Sequence, residues 1–180
     1  MAKSDRKTID KVFVLLGLVM TAVLLVIGGL ALYAADFAKT SVKDELTAQK
    51  IYFPPAGSPA LDPEEFPGLQ QYAGQIVDDG PKAKAYANEF IGAHLRGIAE
   101  GKTYSEVSTL AKQDPTNATL QGQKAALFQG ETLRGLLLGD GYAYWTFGVI
   151  AYYAAIAAFI GAALMAILVL LGYRHLSKLK

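Results

Sequence analysis

Two uncharged apolar runs, one near each end of the chain, constrain the fold more than any motif does. Val12–Ala35, VFVLLGLVMTAVLLVIGGLALYAA, is 24 residues without Asp, Glu, Lys or Arg. As a helix rising about 1.5 Å per residue it measures roughly 36 Å, enough for a hydrocarbon core about 30 Å thick. Gly141–Tyr173 is a second such run, 33 residues between Asp140 and Arg174. Its front, Tyr142–Phe147 (YAYWTF), carries amphipathic rings of the kind that settle at headgroup depth. The second span proper is therefore expected over Gly148–Leu171. The chain is 52% hydrophobic with a mean hydropathy of +0.26, more apolar than an ordinary soluble domain of 180 residues.

A cleaved signal peptide is the rival reading of the first run, because Met1–Lys11 is basic and Ala34-Ala35 is small. The run exceeds the roughly 7–15 apolar residues of a signal core, and Leu32 and Tyr33 fit poorly before a cleavage site. An anchor is expected. Lys3, Arg6, Lys7 and Lys11 precede the first span, and Arg174, Lys178 and Lys180 follow the second. The positive-inside rule then places both termini in the cytoplasm and the central region outside. The expected order is a basic tail (1–11), a first transmembrane helix (12–35), an extracytoplasmic helical domain of about 105 residues (36–141), an aromatic belt with a second transmembrane helix (142–173), and a basic tail (174–180). The fold class is an all-α membrane protein, in the cell membrane.

Asp36–Asp140 has ten Lys/Arg against fourteen Asp/Glu, a net charge of about −4 that gives no sign of nucleic-acid binding. The chain has no cysteine, hence no disulfide and no thiolate for metal or catalysis. Asp36–Lys50, free of Gly and Pro, is expected to prolong the first helix. IYFPPAGSPALDPEEFPG (residues 51–68) then breaks it, with five of the seven prolines. A slack linker is polar and Gly/Ser-rich. Here Ile51, Tyr52, Phe53, Leu61 and Phe66 sit among residues that stiffen the backbone toward polyproline II, so an extended strap packed across the domain is expected, with Tyr52 and Phe53 covered by their own domain or by a neighbouring chain.

Within the strap, Asp62-Pro63-Glu64-Glu65 has the order of a capped helix start, cut short by Pro67. A short helix is expected in Gly68–Val77. Lys82–Glu100 reads as the clearest soluble helix, because Ala83, Tyr86, Ala87, Phe90, Ile91, His94, Leu95 and Ile98 recur at three- and four-residue steps. Thr103-Tyr104-Ser105-Glu106 is a capping box. Asp114–Asn117 restarts the chain into a helix over about 118–138, which either breaks at Gly139-Asp140-Gly141 or runs into the second span.

Chemistry is sparse. His94 falls in the exported domain and His175 in the cytoplasmic tail, so the topology separates the two histidines. His94 is expected to be a hydrogen-bonded core histidine, and His175 an interface anchor. Asp44/Glu45, Glu64/Glu65 and Asp78/Asp79 read as caps and solvated faces, since no D-x-D-x-D-G calcium loop is present. No G-x-S-x-G, P-loop, H-E-x-x-H or C-x-x-C-H motif occurs. Asn117-Ala118-Thr119 matches a glycosylation sequon. The spans hold no ionisable acid, base or histidine, which argues against a proton or ion path through one copy.

The spans do carry small residues at helical spacing: Gly17, Thr21, Gly28 and Gly29 in the first, and Ala154, Ala158, Ala162 and Ala166 with Ala157 and Gly161 beside them in the second. Such seams let backbones approach where lipid removes the hydrophobic drive to associate, either between the two spans of one chain or between chains. Tyr86, Phe90 and His94 are the candidate lining of a pocket.

At DELTAQKIYFPPAGSPAL, GKTYSEVS and FQGETLRGLLL the chain resembles a family of small actinobacterial two-span membrane proteins, over nearly its whole length. Members often carry the label aromatic ring-opening dioxygenase, which implies a non-haem iron held by two histidines and a carboxylate. One exported histidine does not supply that set. The expectation is therefore a non-enzymatic protein with no catalytic, cofactor or metal residues, working in assembly as a self-associating or accessory subunit of an envelope or respiratory complex. The alternative is an extracytoplasmic ligand-binding or sensory module. The partners expected are the lipid bilayer and either further copies or other membrane subunits.

Overall fold

A computed structural model describes residues 3–178, with side chains from residue 6 onward. Residues 1, 2, 179 and 180, with Lys180 of the expected C-terminal tail, lie outside the described residues, as does the side chain of Lys3. Among the described residues the chain is all-helical, without a sheet. The elements are α1 (Lys3–Gln49), α2 (Gly80–Ala85), α3 (Gly92–Ile98), α4 (Tyr104–Gln113), α5 (Ala118–Leu136) and α6 (Tyr144–Lys178). Two π-helical turns, Tyr86–Ile91 and Leu137–Ala143, join α2 to α3 and α5 to α6 without a break. The stretch Gly139-Asp140-Gly141 is thus passed through. Arg6–Gln49 and Ala118–Lys178 are each long and apolar enough to cross a membrane.

The chain divides into two compact units: the segments up to Phe37 and from Phe147 onward, and Ala38–Thr146. In the first, α1 and α6 run antiparallel, because residues of rising number on α1 meet residues of falling number on α6. A Cβ built at Gly172 would lie 2.8 Å from Val14 Cγ2, one at Gly17 2.7 Å from Val169 Cγ2, and one at Gly28 2.8 Å from the Phe159 ring. Their absence is what permits the approach. The covered positions include Val14, Gly17, Thr21, Leu24, Gly28, Ala31 and Ala35 on α1, and Ala151, Ala155, Ala158, Ala162, Met165, Val169 and Gly172 on α6. Both sets alternate steps of three and four, an average of about 3.5 residues, the repeat of helices that wrap left-handedly around each other.

In the second unit the helices surround a core of Val42, Leu46, Phe53, Leu61, Phe66, Leu69, Val77, Ala83, Ala87 and Leu137. A smaller cluster, Leu95, Ala99, Val107 and Leu127, closes the α3–α4–α5 end. Glycine again sets the closest approaches: a Cβ at Gly80 would fall 2.5 Å from Trp145 Cβ, and one at Gly141 3.0 Å from Ala83 Cβ. Helix starts follow local chemistry. Asp79 accepts from Lys82 N at the head of α2, Asn117 from Leu120 N at the head of α5, and Thr103 and Glu106 form the reciprocal capping box of α4. The sequon asparagine is therefore itself a cap.

The segment expected as an extended strap is corrected in form. α1 ends at Lys50 in a left-handed conformation, φ 54°. Ile51–Phe53 then pair antiparallel with Gln75–Val77: Phe53 N donates to Gln75 O at 2.9 Å and Val77 N to Ile51 O at 2.8 Å. The segment's two ends meet, and the chain between them turns twice in short 3-10 helices, Pro59–Leu61 and Pro67–Tyr72. Proline's fixed φ suits the first position of such a turn as well as an extended strand, and both turns begin on one. Asp62 does not start a helix; it closes a turn by accepting from Glu64 N at 2.7 Å. Of Gly68–Val77, only the part up to Tyr72 is helical.

Candidate functional site

The loop 51–77 presents its aromatic residues in two directions. Successive side chains of an extended segment point to opposite faces. Phe53 accordingly turns inward and is 1% exposed, whereas Tyr52 turns outward and is 55% exposed. Of the two, Phe53 is covered by its own domain and Tyr52 is not. Leu61 and Phe66 are buried. Gln70 ties the loop to itself, donating from Nε2 to the carbonyls of Leu61 at 3.0 Å and Phe66 at 3.1 Å.

Rings on the neighbouring helix continue this packing. Phe53 meets Tyr86 edge-on at 5.1 Å between centroids and stacks on Tyr72 at 5.2 Å. Tyr86 and Phe90 lie 4.9 Å apart, Phe90 and His94 4.6 Å, and His94 stacks on Phe66 at 5.9 Å. Tyr86, Phe90 and His94, the candidate pocket residues, pack upon one another and on the loop. Burial pushes the Tyr86 phenol above its ordinary pKa. His94 is exposed, a correction to its placement in the core. Its Nδ1 lies 2.9 Å from the Phe90 carbonyl. A carbonyl only accepts, so Nδ1 carries a proton in this contact.

The π turn explains the displacement of His94. The buried line runs through Ala83 before it and Ala87 inside it; after it, through Gly92, Leu95 and Ala99. The step from Ala87 to Gly92 is five residues, the π repeat. Residues placed in phase with Ala83, such as His94 and Ile98, are rotated toward solvent. Arg134 of α5 holds the turn, donating from Nε to Ala87 O at 3.0 Å and from Nη2 to Asn88 Oδ1 at 3.2 Å, with Nη1 on Glu131 at 2.8 Å. No local motif flags this role for Arg134.

The small-residue stripe is also redrawn. Gly17, Gly28, Ala158 and Ala162 are buried in the α1–α6 seam, Thr21, Gly161 and Ala166 are half-buried, and Gly29, Ala154 and Ala157 are exposed. Four residues turn a helix by about 400°, so a stripe at strict four-residue spacing drifts off a partner met every ~3.5 residues. Ala151 and Ala155 complete the seam in place of Ala154 and Ala157. Thr21 spends its hydroxyl proton on the Gly17 carbonyl, 2.8 Å away on its own helix.

Two further features lie within the second unit. A cleft of about 240 Å³ is lined by Ser41, Glu45, Gln49, Asp140 and Tyr144 over a floor of Val42, Leu46, Leu136 and Leu137. On α5, Leu136 at the cleft is 55% exposed, and Phe128, with the partly exposed Tyr104 ring 5.9 Å away, is 60% exposed. Among the described residues, no three His, Asp or Glu side chains gather as metal ligands. No family model matches the chain, and no curated protein or solved structure matches it.

Proposed function

We propose that the chain is a non-enzymatic two-span membrane protein whose central helical region lies outside the cytoplasm and serves assembly, as a self-associating or accessory subunit of an envelope or respiratory membrane complex. The cations flanking the two apolar runs support the orientation, with both termini inside. The observation that carries the assembly role is the apolar side of α5. Phe128 and Leu136 there are 60% and 55% exposed, with Tyr52 the most exposed large apolar side chains of the second unit. A helix in water that keeps such residues uncovered presents a surface for another chain.

Extraction of native membranes in a mild detergent, followed by native electrophoresis, tests this reading. The expected species is much larger than the 19.2 kDa chain with its micelle. Phe128→Asp with Leu136→Asp is expected to reduce it to the monomer while leaving helix content unchanged. A monodisperse monomer at native abundance would falsify the assembly role.

A second reading, an extracytoplasmic ligand-binding or sensory module, is favoured by the Ser41–Tyr144 cleft, where two carboxylates and two hydroxyls border an apolar floor. A small molecule that copurifies, or a ligand-dependent rise in melting temperature abolished by Glu45→Gln with Asp140→Asn, separates this reading from the first.

A further inference from the structure

At one end of the α1–α6 pair, two clefts flank the line of contact and share Val14. Helical geometry sorts their charges. Residues Lys7, Lys11, Leu15 and Leu18 follow one another at steps of three and four, so they form one stripe on α1; Asp10, Phe13 and Gly17 form the adjacent stripe. The cleft of about 540 Å³ on the first side is lined by Lys7 and Lys11 at its mouth and by Leu15, Leu18 and Leu176 along its floor. The cleft of about 450 Å³ on the second side has Asp10 and His175 instead, with His175 Nε2 3.9 Å from Asp10 Oδ2. The acid lines the second cleft with the histidine, and the two lysines line the first. Among the described residues neither Lys7 nor Lys11 has an ion-pair partner.

We propose that the Lys7–Lys11 cleft is a binding site for one anionic glycerophospholipid, its phosphate held by the two ammonium groups and one acyl chain lying along Leu15, Leu18 and Leu176. This rests on the reading of α1 and α6 as membrane spans. Charge and shape both select the occupant. Two ammonium groups one helical turn apart offer several donors to phosphate oxygens and nothing to a choline head. From Lys11 to Leu18 the apolar part of the stripe rises roughly 10 Å at about 1.5 Å per residue, within the ~15 Å of hydrocarbon in one leaflet. A soluble phosphate would use the mouth and leave the apolar floor bare. Tyr173 adds a hydroxyl beside the mouth, while Ser177, whose Oγ donates to the Arg174 carbonyl at 2.8 Å, has no proton to spare for the ligand.

The full chain is reconstituted in vesicles of pure phosphatidylcholine and tested for flotation, then released in neutral detergent with equal phosphatidylglycerol and phosphatidylcholine for native mass spectrometry. Flotation followed by a single retained phosphatidylglycerol, preferred over phosphatidylcholine by about fivefold for each lysine engaged, is the expected result. Lys7→Gln with Lys11→Gln abolishes the preference. Arg174→Gln with Lys178→Gln removes the same charge outside the cleft and leaves the preference in place. Equal retention of both lipids by a chain that floats overturns the site while the spanning reading stands; so does an equal loss of preference in both double variants, which assigns the effect to bulk charge. Displacement of the lipid by millimolar inorganic phosphate overturns the acyl-chain part of the site. A chain that fails to float overturns the spanning reading and the site with it.

Discussion

Arg134 donates its Nε–H to the carbonyl of Ala87 at 3.0 Å, across 47 residues of sequence. The bond fastens α5 to the π turn of the neighbouring helix, and the same guanidinium reaches Asn88 and Glu131. A turn with a displaced hydrogen-bond ladder is supported here by a planar fork of donors. Arg134→Met is expected to lower stability by about 1–3 kcal/mol, because partly buried acceptors lose their donors. Arg134→Lys recovers little, since one ammonium cannot span the three acceptors. Thermal unfolding in detergent followed by circular dichroism checks both.

The seam between α1 and α6 discriminates two adjacent glycines. Gly28 faces the Phe159 ring, whereas nothing lies within 4 Å of a Cβ at Gly29. Gly28→Leu is expected to cost about 1–3 kcal/mol by overpacking, and Gly29→Leu to be near neutral. Comparable melting temperatures for the two variants would remove the seam as described.

The loop 51–77 yields a similar contrast between neighbours. Phe53→Ala opens a hole in the core and is expected to cost about 3–5 kcal/mol. Tyr52→Ala changes an exposed ring and is expected to stay within about 0.5 kcal/mol. Limited proteolysis should show faster cutting between Pro54 and Gly74 in the first variant only.

The capping box carries a pH signature. Hydrogen bonds from the Thr103 backbone and hydroxyl hold the Glu106 carboxyl below its usual range. A carboxyl whose folded pKa is depressed contributes stability above its unfolded value and loses that contribution as pH falls through the folded one. The melting-temperature gap between wild type and Glu106→Gln is therefore expected at neutral pH and to close as pH drops below the ordinary glutamate range. Thr103→Ala should cost about 1 kcal/mol at neutral pH. A gap unchanged down to strong acid would show that Glu106 does not act through its charge.

What could be read from the chain alone was local. The two apolar runs, the helical prolongation to Gln49, the caps at Asp79 and Thr103, and the turn residues around Asp62 depend on neighbours within a few positions. Composition and spacing therefore carried them, although Asp62 closes a turn where the pattern suggested a helix. The sequence also marked Gly17, Gly28, Ala158 and Ala162 as small, but not which small residues meet.

That choice belonged to tertiary structure, because helices that wrap around each other count about 3.5 residues where a straight stripe counts four. The two π turns shifted phase in the same way, turning His94 and Ile98 outward and passing the chain through Gly139-Asp140-Gly141. Tyr52 and Phe53 are alike in composition and adjacent in sequence. In the folded chain Ile51–Phe53 pairs with Gln75–Val77, and because successive side chains of an extended segment point to opposite faces, one ring enters the core and its neighbour does not.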